Sequence, residues 1–281
     1  MKDHLVPKVG HHRLYDLVSE KTSLETKAST ARWYAEMMID LFFSANAKEK
    51  VGEDKFNKLS LGEKIKILRE WCSDELIDAL NLIKQFGDIA SHYNPSKTIK
   101  ESEVNKIIVK ALSLFDYALI DLMKDGGIRK TEVTAVLFST FLPSIRVRVL
   151  SSILDLSDIK GNSDNDMFLL DKLLLALTKN GEGKKAQKLL SKLRKEEKIG
   201  DYHLSFWLEK LEVIQGKIDE GILPIPENIS DCKRNFDDVL SQLTSFEKVE
   251  NQALIDVFDT MLSQVEPSDM GDKVPNLMVL M

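Results

Sequence analysis

Lys84, Asp88 and His92 stand at four-residue intervals in the stretch from Ser73 to Pro95, SDELIDALNLIKQFGDIASHYNP. On a continuous helix that spacing aligns a cation, a carboxylate and an imidazole, because side chains at i and i+4 project from one face. Such a stripe suits metal-free cleavage of RNA. The imidazole would take the proton of a ribose 2'-hydroxyl, the freed oxygen would attack the adjacent phosphate, and the ammonium group would stabilise the growing negative charge. Asp88 would orient the imidazole and raise its pKa. The same residues also have a structural reading. A histidine in the last turn of a helix is favoured by the helix dipole, and Asp88, following Gly87, can cap a restarted helix.

The elements that must hold this stripe read as helices. Ser73 is the expected N-cap of the central segment, with Asp74 and Glu75 in its first turn and Asn94-Pro95 at its end. Gly87, Ala90 and Ser91 form a second face where a neighbouring backbone can approach closely, and a homodimer across it would bring two stripes to one groove. An earlier helix starts at a capping box, Thr22-Ser23-Leu24-Glu25, and carries Leu24, Ala28, Ala31, Met38, Leu41 and Phe42 at helical spacing through Ser44. Arg32 and Glu36 are an i,i+4 pair on it. Ser60 to Glu63 offers a second capping box, ahead of Ile65, Leu68 and Trp71. A long helix is expected from Glu101 to Lys124, with Gly126-Gly127 closing it. These elements amount to a complete bundle over residues 22 to 126. The preceding residues, with Pro7, Gly10 and the pair His11-His12, read as a surface arm. Adjacent histidines point to different sides and make a poor metal site.

Beyond Gly127 the expected helices are Thr131 to Leu142, Ser144 to Leu156, Met167 to Thr178, Lys184 to Glu197, Tyr202 to Ile218, Asp231 to Phe246 and Val249 to Val265. The polar run 157–166 lacks the closing glutamate of a calcium loop and reads as a solvated loop. Gly181 to Leu190, GEGKKAQKLL, is similar to the turn and second helix of a tetratricopeptide repeat, with a second turn-like stretch, Gly216 to Gly221, 35 residues later. That spacing suits stacked helical hairpins. No strand-type alternation of useful length occurs, so the fold class is all-α. The expected organisation is a bundle with an N-terminal arm over 1–127, a helical-hairpin domain over 128–266 and a flexible tail over 267–281.

A chain of 281 residues does not limit core size. Its net charge of -6 argues against a surface that is a nucleic-acid glove throughout, though a local basic groove remains compatible with it. No apolar run approaches the roughly 18 residues that span a bilayer. Cys72 and Cys232, far apart and without metal-ligand spacing, fit a reducing cytoplasm. There is no phosphate-cradling glycine loop, no His-Glu-x-x-His, no G-x-S-x-G and no paired-cysteine zinc site, so neither a cofactor nor a metal is expected. His203 reads as a cap or surface residue, and Trp33, Trp71 and Trp207 as core. The basic run KKAQKLLSKLRKEEK reads as one solvated helix face.

The segment LNLIKQFGDIASHYNP resembles the signature of HEPN-superfamily domains, especially the uncharacterised branch found beside restriction and abortive-infection proteins. KASTARWYAEMMIDLFF is similar to its partner helix, in which an arginine and a glutamate recur, here Arg32 and Glu36. The resemblance covers about residues 20 to 126. It implies an RNA-binding component of a prokaryotic phage-defence system, a metal-independent or degenerate ribonuclease using Lys84, Asp88 and His92. The alternative it leaves is a non-enzymatic adaptor that dimerises and docks a partner nuclease or motor protein. The wider superfamily's ribonucleases carry an arginine four to six residues before the histidine. This chain has none there; Lys84 is the nearest basic residue before His92, and Asp88 stands where Gly-Asn is expected.

Overall fold

The structure, a computed structural model, describes residues 4–91, 98–124, 131–156, 163–223 and 225–262. All regular structure within them is helical, as the absence of alternating patterns predicts. The first half comprises α1 (His11–Val18), α2 (Leu24–Met38), α3 (Ala45–Val51), α4 (Glu53–Asn57), α5 (Leu61–Leu68), α6 (Asp74–Ser91), α7 (Glu101–Leu112) and α8 (Leu114–Lys124). The centre of the bundle is the mutual packing of α2, α6 and α7, with α1 laid on α2 and α5 on α6. On α6, Leu76, Ile77, Leu80 and Ile83 are buried at helical spacing, which fixes the face that α6 turns inward.

Local capping follows the sequence with two adjustments. Ser60 and Glu63 form the expected capping box, the Ser60 amide donating to Glu63 Oε2 at 2.9 Å. At α2 the cap is Ser23 rather than Thr22, its Oγ accepting from the Thr26 amide at 3.2 Å. Ser73 takes the N-cap position of α6 through its carbonyl, which accepts from the Ile77 amide at 3.0 Å. Its hydroxyl is buried without a hydrogen bond, and its amide instead donates to Asp121 on α8 at 3.3 Å.

Three expectations are corrected here. The helix from Thr22 does not run regularly to Ser44: it passes at Ile39–Phe43 into a π-turn. The long helix from Glu101 bends at Ser113 (φ -87°, ψ 0°), dividing it into α7 and α8. Beyond the bend, Phe115 packs on Phe42 and Phe141 with ring centroids 5.8 and 5.6 Å apart. The N-terminal stretch is no surface arm. Leu5, Val6, Leu14 and Leu17 are core residues, and His4 Nδ1 donates to the Leu112 carbonyl at 2.9 Å. His11 Nε2 contacts the Val6 carbonyl at 3.0 Å, while His12 and the Arg13 guanidinium both pack on Trp33.

The second half comprises α9 (Glu132–Ser139), α10 (Pro143–Leu156), α11 (Asp164–Lys179), α12 (Gly183–Lys195), α13 (Asp201–Asp219), α14 (Ile229–Gln242), α15 (Ser245–Glu250) and α16 (Gln252–Leu262). Pro143 is the first residue of α10, where its missing amide costs nothing. Three helices, not two, follow Asn228. Of the expected solvated loop, 157–162 lies outside the described residues. Ser163 is the N-cap of α11, its Oγ accepting from the Asp166 amide at 3.1 Å, so Asp164 and Asp166 belong to a first helical turn.

The two stretches of the expected echo each contain a glycine turn, the second placed later than Gly216. Gly181 (φ +72°) ends α11 and Gly221 (φ +68°) ends α13, each in the left-handed region. At both sites the following amide reaches back five residues, Glu182 to Leu177 at 2.8 Å and Ile222 to Lys217 at 3.0 Å. Gly216 lies inside α13, so the second turn is at Gly221 rather than at Gly216.

The described residues on either side of position 127 share one hydrophobic core. Phe42, Phe115, Phe141, Phe258 and Phe236 form a run of rings across it. Beside them, Arg148 of α10 holds the buried Asp116 of α8 with two bonds, Nε–Oδ2 at 2.6 Å and Nη2–Oδ1 at 3.1 Å. Thr131 and Thr134 of the α9 start both donate to Asn251 Oδ1 at 3.0 Å.

Burial and, secondarily, the Arg148 charge push the His4 imidazole from 6.5 down to about 4. The folded protein therefore keeps His4 neutral where the unfolded chain would protonate it. Stability from this residue is complete above pH 6.5 and drains away toward pH 4, a loss of about 3 kcal/mol in all. Urea titrations from pH 7 to pH 4.5 should show a shallower decline for His4→Asn than for the wild type. Arg148→Met should cost about 3–5 kcal/mol at pH 7, since it strands Asp116.

Candidate functional site

The Asp88 carboxylate is shared by two cations from two helices. Lys84 Nζ, one turn earlier on α6, meets Oδ2 at 2.5 Å. Arg32 Nη1 of α2 bonds to Oδ1, and Arg32 Nε also reaches Glu36 Oε1 at 3.2 Å. All four side chains remain between a quarter and two-fifths exposed, so solute can reach their heads.

Two glycines make the convergence possible. A Cβ at Gly87 would lie 2.5 Å from Arg32 Cβ and 3.0 Å from its Cδ, so the arginine stem crosses α6 where a side chain is missing. On α5, a Cβ at Gly62 would lie 2.8 Å from Lys84 Cε. Each glycine thus gives passage to the aliphatic stem of one cation, and the charged heads emerge at the same carboxylate. Two positive and two negative groups leave the cluster neutral as it stands.

Of the expected stripe, Lys84 and Asp88 are brought together as the i,i+4 spacing requires. His92 lies outside the described residues. The close approach at Gly87 is filled by Arg32 of the same chain. Ala90 packs on the core and Ser91 Oγ donates to the Gly87 carbonyl at 2.8 Å. Arg32 and Glu36 do pair along their helix. What sequence reasoning missed is the guanidinium's second partner, Asp88, which supplies an arginine from a neighbouring helix rather than from the window before His92. The one signal for it was Gly87 itself, a buried glycine within a strong amphipathic helix.

Elsewhere, no cluster of three or more His, Cys, Asp or Glu side chains suited to a metal occurs among the described residues. Burial pushes the Cys72 and Cys232 thiols up to about 12, which leaves them unreactive at neutral pH. Trp207 is core, Trp33 is half-buried, and Trp71 is exposed at 36% beneath Lys50. His203, in the first turn of α13, lies with its ring tilted against that of Trp207, centroids 5.8 Å apart. Among the described residues, no helix is long and apolar enough to cross a membrane. The chain matches no family model, no curated protein and no solved structure.

Gly87→Ala should lose about 1–2 kcal/mol in urea denaturation, because the clash with the Arg32 stem outweighs the ~1 kcal/mol of helix propensity gained. Gly62→Ala should stay within about 0.5 kcal/mol of wild type, since the flexible Lys84 tail can swing aside.

Proposed function

We propose that this protein is an RNA-binding component of a prokaryotic phage-defence system, built on a HEPN-like bundle, and that RNA phosphate is held at the α2–α6 edge. The observation that carries this reading is the convergence of Arg32 and Lys84 on one solvent-reachable carboxylate. A forked guanidinium beside an ammonium group is a phosphate-binding pair, and Asp88 occupies the place of the anion until one arrives. The resemblance over residues 20–126 supports the same assignment. Metal-independent ribonuclease chemistry is the catalytic extension: His92 follows Asp88 by four residues, and the paired cations would stabilise charge on the phosphate.

A non-enzymatic adaptor is the second reading, favoured by a different observation. Tyr202 and Phe206 lie one turn apart on α13 and are 77% and 49% exposed, with Val213 further along the same helix at 53%. Exposed aromatics on a helix suit a protein partner.

Fluorescence anisotropy with single-stranded RNA across a salt series separates these. Arg32→Gln and Lys84→Gln should each weaken binding several-fold and reduce the steepness of log K against log salt by about 0.7. Asp88→Asn should strengthen binding, because it removes the internal competitor of the phosphate. Unchanged affinity and salt slope in all three would refute the RNA site. For the catalytic extension, expression of the wild type should slow growth and His92→Ala should relieve it. Intact RNA with and without divalent metal would retire the enzymatic reading alone.

A further inference from the structure

The second half of the molecule contains a basic cavity that shares no residue with the α2–α6 edge. It lies between α9, α10 and α11, with a volume of about 180 Å³, and Arg146, Lys172 and Lys179 all line it. Among the described residues, no carboxylate does. Arg146 is the telling residue. It is only 7% exposed, yet among the described residues its guanidinium has no hydrogen-bond or ion-pair partner, and Nε is fully enclosed without an acceptor. A buried cation is normally matched by a carboxylate, as Arg148 is by Asp116 two residues further along the same helix. Arg146 has no such match.

The two lysines compound the imbalance. Lys172 and Lys179 are seven residues apart on α11, two turns along one face. Lys172 is 3.9 Å from its neighbour Asp171 and lies over the Phe168 ring, but Asp171 is engaged more closely by Lys210, at 2.5 Å. Burial, Arg146 and Lys172 together hold the Lys179 ammonium below its ordinary range, a sign that the three charges feel one another. Leu150 and Leu175 supply apolar wall beside them. Cations that share a cavity raise the cost of one another's charge, and an anion placed between them would offset it.

We propose that Arg146, Lys172 and Lys179 form a binding site for the dianionic phosphoryl group of a small phosphorylated molecule. The depth of Arg146 selects a terminal group. An internal phosphodiester of RNA carries one charge and is flanked by sugars on both sides, whereas a terminal phosphoryl group presents two charges and three oxygens on a single stalk. The apolar wall would hold whatever organic group follows it.

Isothermal titration of the full chain with phenyl phosphate tests this, with inorganic phosphate as a parallel titrant and sodium chloride keeping ionic strength equal. Saturable binding is expected, with Kd on the order of 0.1–1 mM for so small a probe. Lys172→Gln and Lys179→Gln should each weaken it about fivefold or more, while Lys106→Gln, the same charge change on α7, should leave it as in the wild type. Arg146→Met should abolish binding and raise the Tm of the free protein, opposite in sign to Arg148→Met. Tighter binding of phenyl phosphate than of inorganic phosphate assigns the site to an organic phosphomonoester, and equal binding assigns it to free phosphate; both uphold the site. No saturable binding in the wild type, or equal affinity in both lysine variants, overturns it. Should Arg146→Met fail to fold, the lysine variants decide. The substitutions here leave Arg32 and Lys84 untouched, so loss of binding in them reports this cavity and not the RNA edge, and either site can fail alone.

Discussion

The close crossing of α2 over α6 is the constraint on which the first half of the molecule rests. Helices normally keep 8–10 Å between axes because side chains fill the space between them. At Gly87 nothing projects from α6, and the Arg32 stem occupies the gap. Ala28, Ala31, Tyr34 and Ala35 of α2 are buried, and the crossing brings the guanidinium to Asp88. Packing and electrostatics are therefore one event. The small residues of α2 and the glycine of α6 set the distance, and the ion pair sets the register. A bulkier residue at either place would separate the helices and leave Asp88 with Lys84 alone.

The joint between the halves relies on a second device, a charge pair inside the hydrocarbon. Burial pushes the Asp116 carboxyl up, while the charge and forked bonds of Arg148 pull it down. The pair fixes α10 against α8, and its field reaches further. Arg148 helps keep His4 neutral, and Asp116 joins burial in raising the Tyr34 phenol. One ion pair thus conditions residues from the first turn of chain, from α2, from α8 and from α10. Arg146, a half-turn away on the same helix, has no such counterpart. The contrast between these two arginines separates a cation used to assemble the fold from one left for a ligand.

Several features were legible without coordinates. The Ser60–Glu63 capping box depends on residues three apart, and the i,i+4 pairing of Lys84 with Asp88 on helix geometry alone. The breaks at Pro143 and the glycine turn at Gly181 were readable because one residue type dictates the backbone there. Errors arose where a local pattern met a distant partner. Ser113 is an ordinary helical residue, and nothing in its local sequence marks a break. The N-terminal stretch looked like an arm because Leu5, Val6, Leu14 and Leu17 are too few to show a period, and their burial depends on a groove made by other helices. Gly216 and Gly221 both suit a turn, and the length of α13 chose the second.

The sequence by itself determined the all-helical class, the Ser60–Glu63 cap and the Lys84–Asp88 pair, because each is governed by contacts within about one turn of chain. Tertiary structure alone decided that Gly87 receives Arg32 of the same molecule, that residues on both sides of position 127 share a core, and that Arg146, Lys172 and Lys179 line one cavity. The physical reason is range. Backbone hydrogen bonding is settled between neighbours, whereas the partner of a charge is whatever the packing of the whole chain places beside it.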